Sequence, residues 1–368
     1  MTAGVYIHIP FCKSRCSYCD FATDVWRSSE AVERYVNALC DEMPGSTSET
    51  PDVDTIYFGG GTPSLLSSSQ VKKILDSVDS WFEISEEAEI TIEMNPATVT
   101  AETLAAYRDL GVNRASFGVQ TFNERDLKLL ARGHDANDAR QTFRLLRDAE
   151  FTNVSFDLIA GLPGQTIEDW RRNLDEAVAM EPEHLSLYLL EIHEGTPLAE
   201  QLRSGRRTMP EEELAAEMYE IMIDTLAAAG YEQYEISNFA KPGFESRHNT
   251  KYWTLDPVYG FGVSAHSFDG YQRYANERDT AKYVERMEDF MVAEVSRERI
   301  DAASEFAFLG LRLINGIDLI EYEAKFSVSL NDKISELEEK GLVEVVNGRL
   351  RLTRKGMLFS NEVFAEFV

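Results

Sequence analysis

Three of the four cysteines of this chain lie close together near the N-terminus, at Cys12, Cys16 and Cys19. Three neighbouring thiols cannot all pair off as disulfides, and thiolates are preferred ligands of zinc, copper(I) and iron–sulfur clusters. A structural zinc site normally adds a fourth ligand in a second paired spacing, which the sequence lacks. In a four-iron cubane cluster held by three cysteines, the fourth iron has no protein ligand and can bind another molecule. The spacing therefore favours a cluster that binds a further ligand, with zinc or redox thiols as alternatives.

The fourth cysteine, Cys40, has a different setting. It falls in a segment whose apolar residues recur at helical spacing and form one face: Val32, Tyr35, Val36 and Leu39. We therefore expect Cys40 to be a buried, inert thiol rather than a cluster ligand. A fourth protein ligand would also occupy the iron that the three-cysteine loop leaves open.

Apolar, β-rich segments alternate with amphipathic helical segments, which is the pattern of parallel βα units. Six predicted strands lie at 5–10, 55–60, 89–94, 114–120, 153–162 and 184–190. Predicted helices lie near 30–43, 69–80, 101–110, 123–131, 136–149 and 166–179. Six units predict an open, partial (βα)6 barrel of the TIM type, in which chemistry takes place at the carboxyl ends of the strands.

Polar and glycine residues follow these predicted strands. The cysteine loop comes after the first strand, and Gly59, Gly60, Gly61 and Thr62 come after the second. Consecutive glycines let a ligand approach the main chain, although a flexible turn is the simpler alternative. Glu93 ends the third strand. In the fourth and fifth units we single out three further polar residues: Gln120, Arg132 and Asp157. A buried aspartate needs a partner, so Asp157 is either paired within the protein or faces a ligand.

Together these motifs resemble the oxygen-independent coproporphyrinogen III dehydrogenase family of radical S-adenosylmethionine (SAM) proteins, over nearly the whole chain. The similar segments are 8–12, 59–63, 93–96, 118–120 and 157–163, beside the cysteine motif itself. The resemblance implies a [4Fe–4S] cluster on the three cysteines with SAM on its open iron. It also implies that SAM contacts Tyr6, Gly60, Gly61, Thr62 and Glu93, and that Gln120, Arg132 and Asp157 lie where the dehydrogenase holds a second SAM. Tyr18 occupies a position that is aromatic in the family.

Two departures favour one branch of that family. The dehydrogenases have a further cysteine where this chain has Phe21, and a long N-terminal extension where this chain has eleven residues before Cys12. Both features resemble the HemW-type heme chaperone branch, whose members bind heme and pass it to an acceptor protein. An enzyme that abstracts hydrogen from a tetrapyrrole through a SAM-derived radical is the alternative. A scaffold with a purely structural cluster is less consistent with the intact SAM positions.

A segment from Arg247 to Trp253 matches the His-Asn-x-x-Tyr-Trp signature of the chaperone branch. Physically, His248 could ligate heme iron, Tyr252 and Trp253 could pack on the macrocycle, and Arg247 or Lys251 could pair with a propionate. The structural alternative is a hydrogen-bonded histidine among aromatic rings. The remaining histidines receive less weight: His8, His134, His184, His193 and His266.

We predict two domains, a barrel with a helical extension over 1–295 and a winged-helix-like α+β domain over 296–368. Within the second, helices are expected at 302–314, 317–325 and 331–340, followed by a hairpin at 342–353 with Asn347 and Gly348 in its turn. An acidic helix near 277–297 should precede them. Residues 301–368 contain 12 acidic and 8 basic residues, which disfavours DNA binding.

The formal net charge of the whole chain, -28, disfavours nucleic acid and anionic membranes as partners. No apolar segment is long enough to span a membrane, and no secretory signal is evident. Exposed cluster-forming thiolates suit a reducing compartment, so we expect a cytoplasmic protein. Heme, a heme-acceptor protein, the cluster and SAM are the expected partners and cofactors.

Overall fold

The computed structural model describes residues 2–44 and 50–368. The strands in chain order are β1 Ala3–Ile9, β2 Phe11–Cys12, β3 Asp24–Val25, β4 Asp52–Gly60, β5 Glu83–Met94, β6 Arg114–Gln120, β7 Val154–Ala160, β8 His184–Leu189, β9 Glu232–Gln233, β10 Asn238–Ala240, β11 Val258–Phe261, β12 His266–Phe268, β13 Gln272–Asn276, β14 Glu294–Arg299, β15 Ile317–Asp318, β16 Val343–Val346 and β17 Arg349–Leu352.

The helices are α1 Ser29–Glu42, α2 Ser68–Trp81, α3 Ala101–Asp109, α4 Glu124–Leu129, α5 Ala136–Asp148, α6 Ile167–Met180, α7 Pro197–Arg203, α8 Glu212–Ala228, α9 Arg247–Thr254, α10 Thr280–Glu288, α11 Ala302–Gly310, α12 Leu319–Phe326, α13 Asn331–Glu339, α14 Arg354–Leu358 and α15 Ser360–Ala365, with a 3-10 turn at Pro63–Leu65. No helix in the described ranges is both long and apolar enough to cross a membrane.

The six predicted βα units are confirmed. Strands β1, β4, β5, β6, β7 and β8 lie side by side in chain order, and every pair is parallel. Alternate residues of each strand face the helices and build the main core, which is typical of a sheet covered by its crossover helices. The other residues face the barrel interior, and the loops after the strands gather at one open end, which we call the barrel mouth.

The sheet is wider than the sequence predicts. Strand β11 pairs in parallel with β1 on its free side, and β12, β13 and β14 extend this edge in antiparallel order. Strands β10 and β9 extend the opposite edge beyond β8. The acidic helix predicted near 277–297 is present only as α10, Thr280–Glu288; its C-terminal part is wrong, because the chain continues as edge strand β14. That strand is almost fully exposed, so its polar sequence carries no periodic signal.

The C-terminal module has its own apolar core, formed by α11 to α15 and a three-stranded sheet. The predicted hairpin is present, with β16 and β17 joined at Asn347 and Gly348, and both turn residues have positive φ. The predicted domain boundary at 295/296 falls inside β14, so the sheet of the barrel continues four residues further, to Arg299.

Candidate functional site

The cysteine loop is held over the barrel mouth by main-chain anchors. Cys12 ends β2, which pairs with β3 and so ties both ends of the loop together. At its centre, the Ser17 amide and hydroxyl donate to the carbonyl oxygens of Leu130 and Leu129 at 2.9 and 2.8 Å. The Ser17 carbonyl in turn accepts from the Leu198 amide at 2.8 Å. The loop is therefore fixed to the end of α4 and the start of α7, the helices that follow the fourth and sixth barrel strands.

The three thiols are free and partly buried. In the described parts of the chain, no three histidine, cysteine or acidic side chains converge where a single metal ion could sit. An iron–sulfur cluster binds each cysteine at a different iron, so it does not need the three sulfurs to converge on one ion. Burial raises the pKa of Cys12 and of Cys19. A hydrogen bond from Thr62 to the Cys12 sulfur, with donor and acceptor 3.5 Å apart, opposes this rise by favouring the thiolate.

A polar chain connects two of these cysteines across the mouth. Thr62 Oγ1, which contacts Cys12, accepts from Asn95 Nδ2 at 2.7 Å. Asn95 Oδ1 accepts from Arg132 Nη2 at 2.6 Å, and Arg132 Nη1 lies 3.5 Å from the sulfur of Cys16. Arg132 thus places a buried positive charge beside the sulfur of Cys16. The sequence predicted Thr62 and Arg132 as site residues but missed Asn95, although its position in Glu93-x-Asn-Pro carried the signal.

Tyr18 closes the other side of this arrangement. Its hydroxyl lies 3.5 Å from Arg132 Nη1, and burial raises its pKa. The Arg132 guanidinium also donates to the carbonyl of Gly118 at 2.6 Å. One arginine therefore joins the cysteine loop to the ends of β5 and β6.

Glu93 lies inside the barrel, below the mouth. Its carboxylate accepts from the Tyr57 hydroxyl at 2.7 Å and from the Gly60 amide at 3.1 Å. Burial raises the pKa of Glu93, while these two hydrogen bonds favour its ionised form. Tyr6 stacks on Tyr57 with ring centroids 6.2 Å apart, and its hydroxyl hydrogen-bonds to the ring of His8. Four of the residues assigned to SAM by resemblance therefore lie together: Tyr6, Gly60, Thr62 and Glu93.

The glycines after β4 are required by the protein itself. A Cβ on Gly60 would come within 2.6 Å of the His8 ring, and φ there is 107°. A Cβ on Gly61 would lie 2.7 Å from the main chain of Pro10. Because the occupied space belongs to protein atoms, these glycines allow the ends of β1 and β4 to pack closely. The approach of a ligand to this main chain, which the sequence indicated, stays a prediction.

Asp157 and Gln120 complete the interior. Burial, reinforced by the nearby charge of Glu93, raises the pKa of Asp157 to about 7, and a hydrogen bond with Ser186 opposes the rise. Gln120 is buried at a β-bulge with φ of 68°. Arg114, which the sequence did not single out, is fully buried, and its positive charge favours ionised Glu93 and Asp157.

Comparison with known proteins agrees with this architecture. The model of the radical SAM superfamily matches residues 6–177, and the model of the HemN C-terminal domain matches residues 298–359. The solved structure of coproporphyrinogen III oxidase (HemN) from Escherichia coli, described as a radical SAM enzyme, superposes with a TM-score of 0.87 at 25% identity, covering 100% of this chain and 90% of that one. The fold and the three-cysteine loop define a radical SAM protein, a class that implies a [4Fe–4S] cluster and SAM.

Full-length relatives give the narrower assignment. The chain is 38% identical to a protein of Bacillus subtilis named heme chaperone HemW, over 99% of both chains. It is 32% identical to the Escherichia coli protein of the same name, over 99% of this chain and 98% of that one. The chain belongs to the HemW family of radical SAM proteins.

His248, predicted as a heme ligand, lies at the end of the barrel opposite the mouth. Its Nδ1 is 2.9 Å from Thr55 Oγ1, its Nε2 is 3.2 Å from the Tyr252 hydroxyl, and its ring stacks on Tyr57. Burial lowers its pKa to about 3. With both ring nitrogens hydrogen-bonded and the side chain enclosed, this geometry favours a structural role for His248 over the predicted ligation of iron.

The neighbours of His248 are also engaged in internal contacts. Arg247 Nη2 and Lys251 Nζ both pair with Asp54, at 3.1 and 2.7 Å, so neither charge is free for a propionate. The Trp253 ring lies under the guanidinium of Arg312, 4.3 Å from its centroid. In this structure α9 closes the base of the barrel and packs against the C-terminal module.

Two side chains beside the cysteine loop stand out. Phe21, two residues after Cys19, has 65% of its surface exposed. His193, in the loop after β8, lies with its Nδ1 3.4 Å from the carboxylate of Asp20. The sequence gave His193 little weight because nothing near it in the chain suggested a metal. Only the fold brings the two loops together.

Proposed function

We propose that this protein is a heme chaperone, which binds heme and transfers it to an acceptor protein. The observation that carries the proposal is the full-length similarity to two proteins named heme chaperone HemW. Phe21 supports the chaperone proposal. This exposed phenylalanine occupies the position at which the related dehydrogenases have a further cysteine, so the immediate surroundings of the cluster loop differ from theirs. The acceptor is a second protein, and the net charge of -28 argues against nucleic acid in that role.

In this proposal the three cysteines hold the [4Fe–4S] cluster, and the barrel interior holds SAM. Tyr6, Glu93 and the main chain of Gly60 and Gly61 surround the methionyl end, and Thr62 orients Cys12. Arg132 and Asp157 line the remaining space with Gln120 and Tyr18, for a second SAM or for part of the heme cavity. When bound, the cluster supplies an electron that can cleave SAM. The chain's residues position the ligand and exclude water.

A second candidate function is radical chemistry on a tetrapyrrole. The specific observation in its favour is the similarity to a coproporphyrinogen III oxidase over the whole chain, together with intact Glu93, Arg132 and Asp157. This function requires 5′-deoxyadenosine to form as a porphyrinogen is oxidised. The dehydrogenases have a cysteine at the position of Phe21, and its replacement here argues against the enzymatic function.

The two functions are separated by one set of anaerobic experiments. Protein with a reconstituted cluster is titrated with heme, and the heme-loaded form is then mixed with an apo-hemoprotein while absorption spectra are recorded. Saturation near one heme per chain, followed by transfer, supports the chaperone. Formation of 5′-deoxyadenosine together with oxidised porphyrinogen, without saturable heme binding, would replace it with the enzyme.

Two finer points belong to the same proposal. We place the working compartment in the cytoplasm, since four free thiols suit reducing conditions. We also keep the C-terminal module, over about 296–368, as a separate domain that contacts partners or covers the site. Limited proteolysis should cleave near 300–302 if this division holds, whereas cleavage confined to other loops would contradict it.

A further inference from the structure

We infer that His193 is an axial ligand of the heme, which sits at the barrel mouth beside the cluster loop. This inference rests on the proposed heme-binding function and assigns its site. It replaces the enclosed His248 with a histidine that solvent can reach, since 44% of the His193 side chain is exposed.

The two ring nitrogens of His193 have different neighbours. Its Nδ1 lies 3.4 Å from Asp20 Oδ2, while its Nε2 lies 3.9 Å from the nearest carboxylate oxygen, of Glu191, which is beyond hydrogen-bond distance. Metal-binding histidines commonly donate one ring N–H to a carboxylate, which fixes the tautomer and leaves the other nitrogen for the metal. Asp20 is the carboxylate placed nearest to take that role, which would leave Nε2 for the iron.

Exposed apolar side chains flank this histidine. Phe21 follows Asp20 and is 65% exposed, and Ile192 precedes His193 and is 38% exposed. Tyr188 lies on the inward face of β8, at the mouth, and is 40% exposed. Aromatic and aliphatic groups of this kind pack on the face of a porphyrin. These exposed side chains lie in or next to the two loops that meet at His193, and they would offer a porphyrin apolar surface to pack on.

Positive charge is also available at the same place, in a strongly acidic protein. Arg15 Nη2 donates to the Cys19 carbonyl at 3.2 Å, and Arg278 Nη2 lies 3.4 Å from the Asp20 carbonyl. Both arginine residues are exposed. Guanidinium groups beside the apolar surface are suitable partners for the two propionates of heme. Heme would therefore bind next to Cys19, within reach of electrostatic effects of the cluster.

The test is a heme titration of cluster-reconstituted, full-length protein with His193→Ala, His193→Cys and His266→Ala. His266 is also exposed but lies on β12, outside the proposed site, and so provides a matched control. We expect His193→Ala to weaken heme binding at least about tenfold, as loss of an oriented ligand does. Added imidazole should restore the wild-type spectrum, and His193→Cys should give a thiolate-type spectrum. Cluster iron content and SAM binding should remain unchanged in all variants.

The possible failures are distinguishable. If wild-type protein binds no heme, the proposed function itself is wrong. If it binds heme, but His193→Ala matches His266→Ala in affinity and spectrum, the function stands and the assigned ligand is wrong. A spectrum that stays unchanged in His193→Cys would likewise overturn the assignment.

Discussion

Replacing Glu42 by glutamine should make the protein progressively more stable, relative to wild type, as the pH rises from 5 to 8. Glu42 ends α1, and its carboxylate accepts from the Gly262 amide at 2.8 Å, from Asn276 Nδ2 at 2.6 Å and from the Tyr283 hydroxyl. None of these donors carries a charge. Burial raises the pKa of Glu42 to about 7, against the three hydrogen bonds, which favour the anion.

The sign follows from proton binding. Between pH 4.5 and 7 the folded chain holds a proton on Glu42 that the unfolded chain has lost, so wild-type stability falls as pH rises through this interval. The span from 4.5 to about 7 corresponds to about 3–4 kcal/mol at most, at ~1.4 kcal/mol per pKa unit. Part of the Glu42 side chain is accessible, which reduces this value. Glutamine cannot titrate, so this part of the pH dependence disappears.

The assay is urea unfolding at pH 5, 6, 7 and 8, followed by circular dichroism and tryptophan fluorescence. The glutamine amide has one acceptor where the carboxylate has two, so the variant also carries a cost that does not depend on pH. The trend with pH is therefore the quantity to compare. Glu30→Gln, an exposed carboxylate on the same helix, is the control and should show no such trend. If the free energy of unfolding of Glu42→Gln differs from that of wild type by the same amount at all four pH values, the reasoning is refuted.

Three other changes test the packing of the site and the join between the two parts of the chain. Gly61→Ala should lower stability by about 1–3 kcal/mol in thermal melts, because the added Cβ would lie 2.7 Å from main-chain atoms. Gly133→Ala is the control, since its Cβ would be 3.7 Å from the nearest atom and should have no such effect. Equal melting temperatures for the two variants would contradict this prediction. Glu235→Gln removes the buried carboxylate that pairs with Arg312 at 3.2 Å, and it should lower the free energy of unfolding in urea by about 3 kcal/mol. A decrease of less than ~1 kcal/mol would show that this ion pair does not hold the two parts of the chain together. Cys40→Ser should retain full cluster iron content, and loss of iron would show that Cys40 is a ligand.

The parallel barrel could be predicted because its signals are local. Each strand is a short apolar segment and each helix has an amphipathic face, so alternating periodicity identifies the units without knowledge of their contacts. All six predicted strands are present, and β6 has the predicted bounds, Arg114–Gln120. The edge strands were missed because β11 to β14 are short, glycine-containing or exposed, and their pairing partners are distant in the chain.

For the candidate site, too, the sequence showed the local features and the fold showed the long-range contacts. The spacing of Cys12, Cys16 and Cys19 is a property of one loop, so the sequence alone could favour a cluster with a further ligand over a structural zinc site. It could not show that Asn95 connects Thr62 to Arg132, because three separate loops meet only when the sheet curves.

The histidines show most clearly what the tertiary structure decided. His248 lies in a segment rich in groups that could bind heme, yet folding encloses it at the base of the barrel, where both its nitrogens are hydrogen-bonded. His193 has an unremarkable sequence context, yet the closing of the barrel places it beside Asp20 at the exposed mouth. Residue type and spacing determined which side chains could perform the chemistry. Burial and long-range contacts, which depend on the whole fold, decided which of them are accessible.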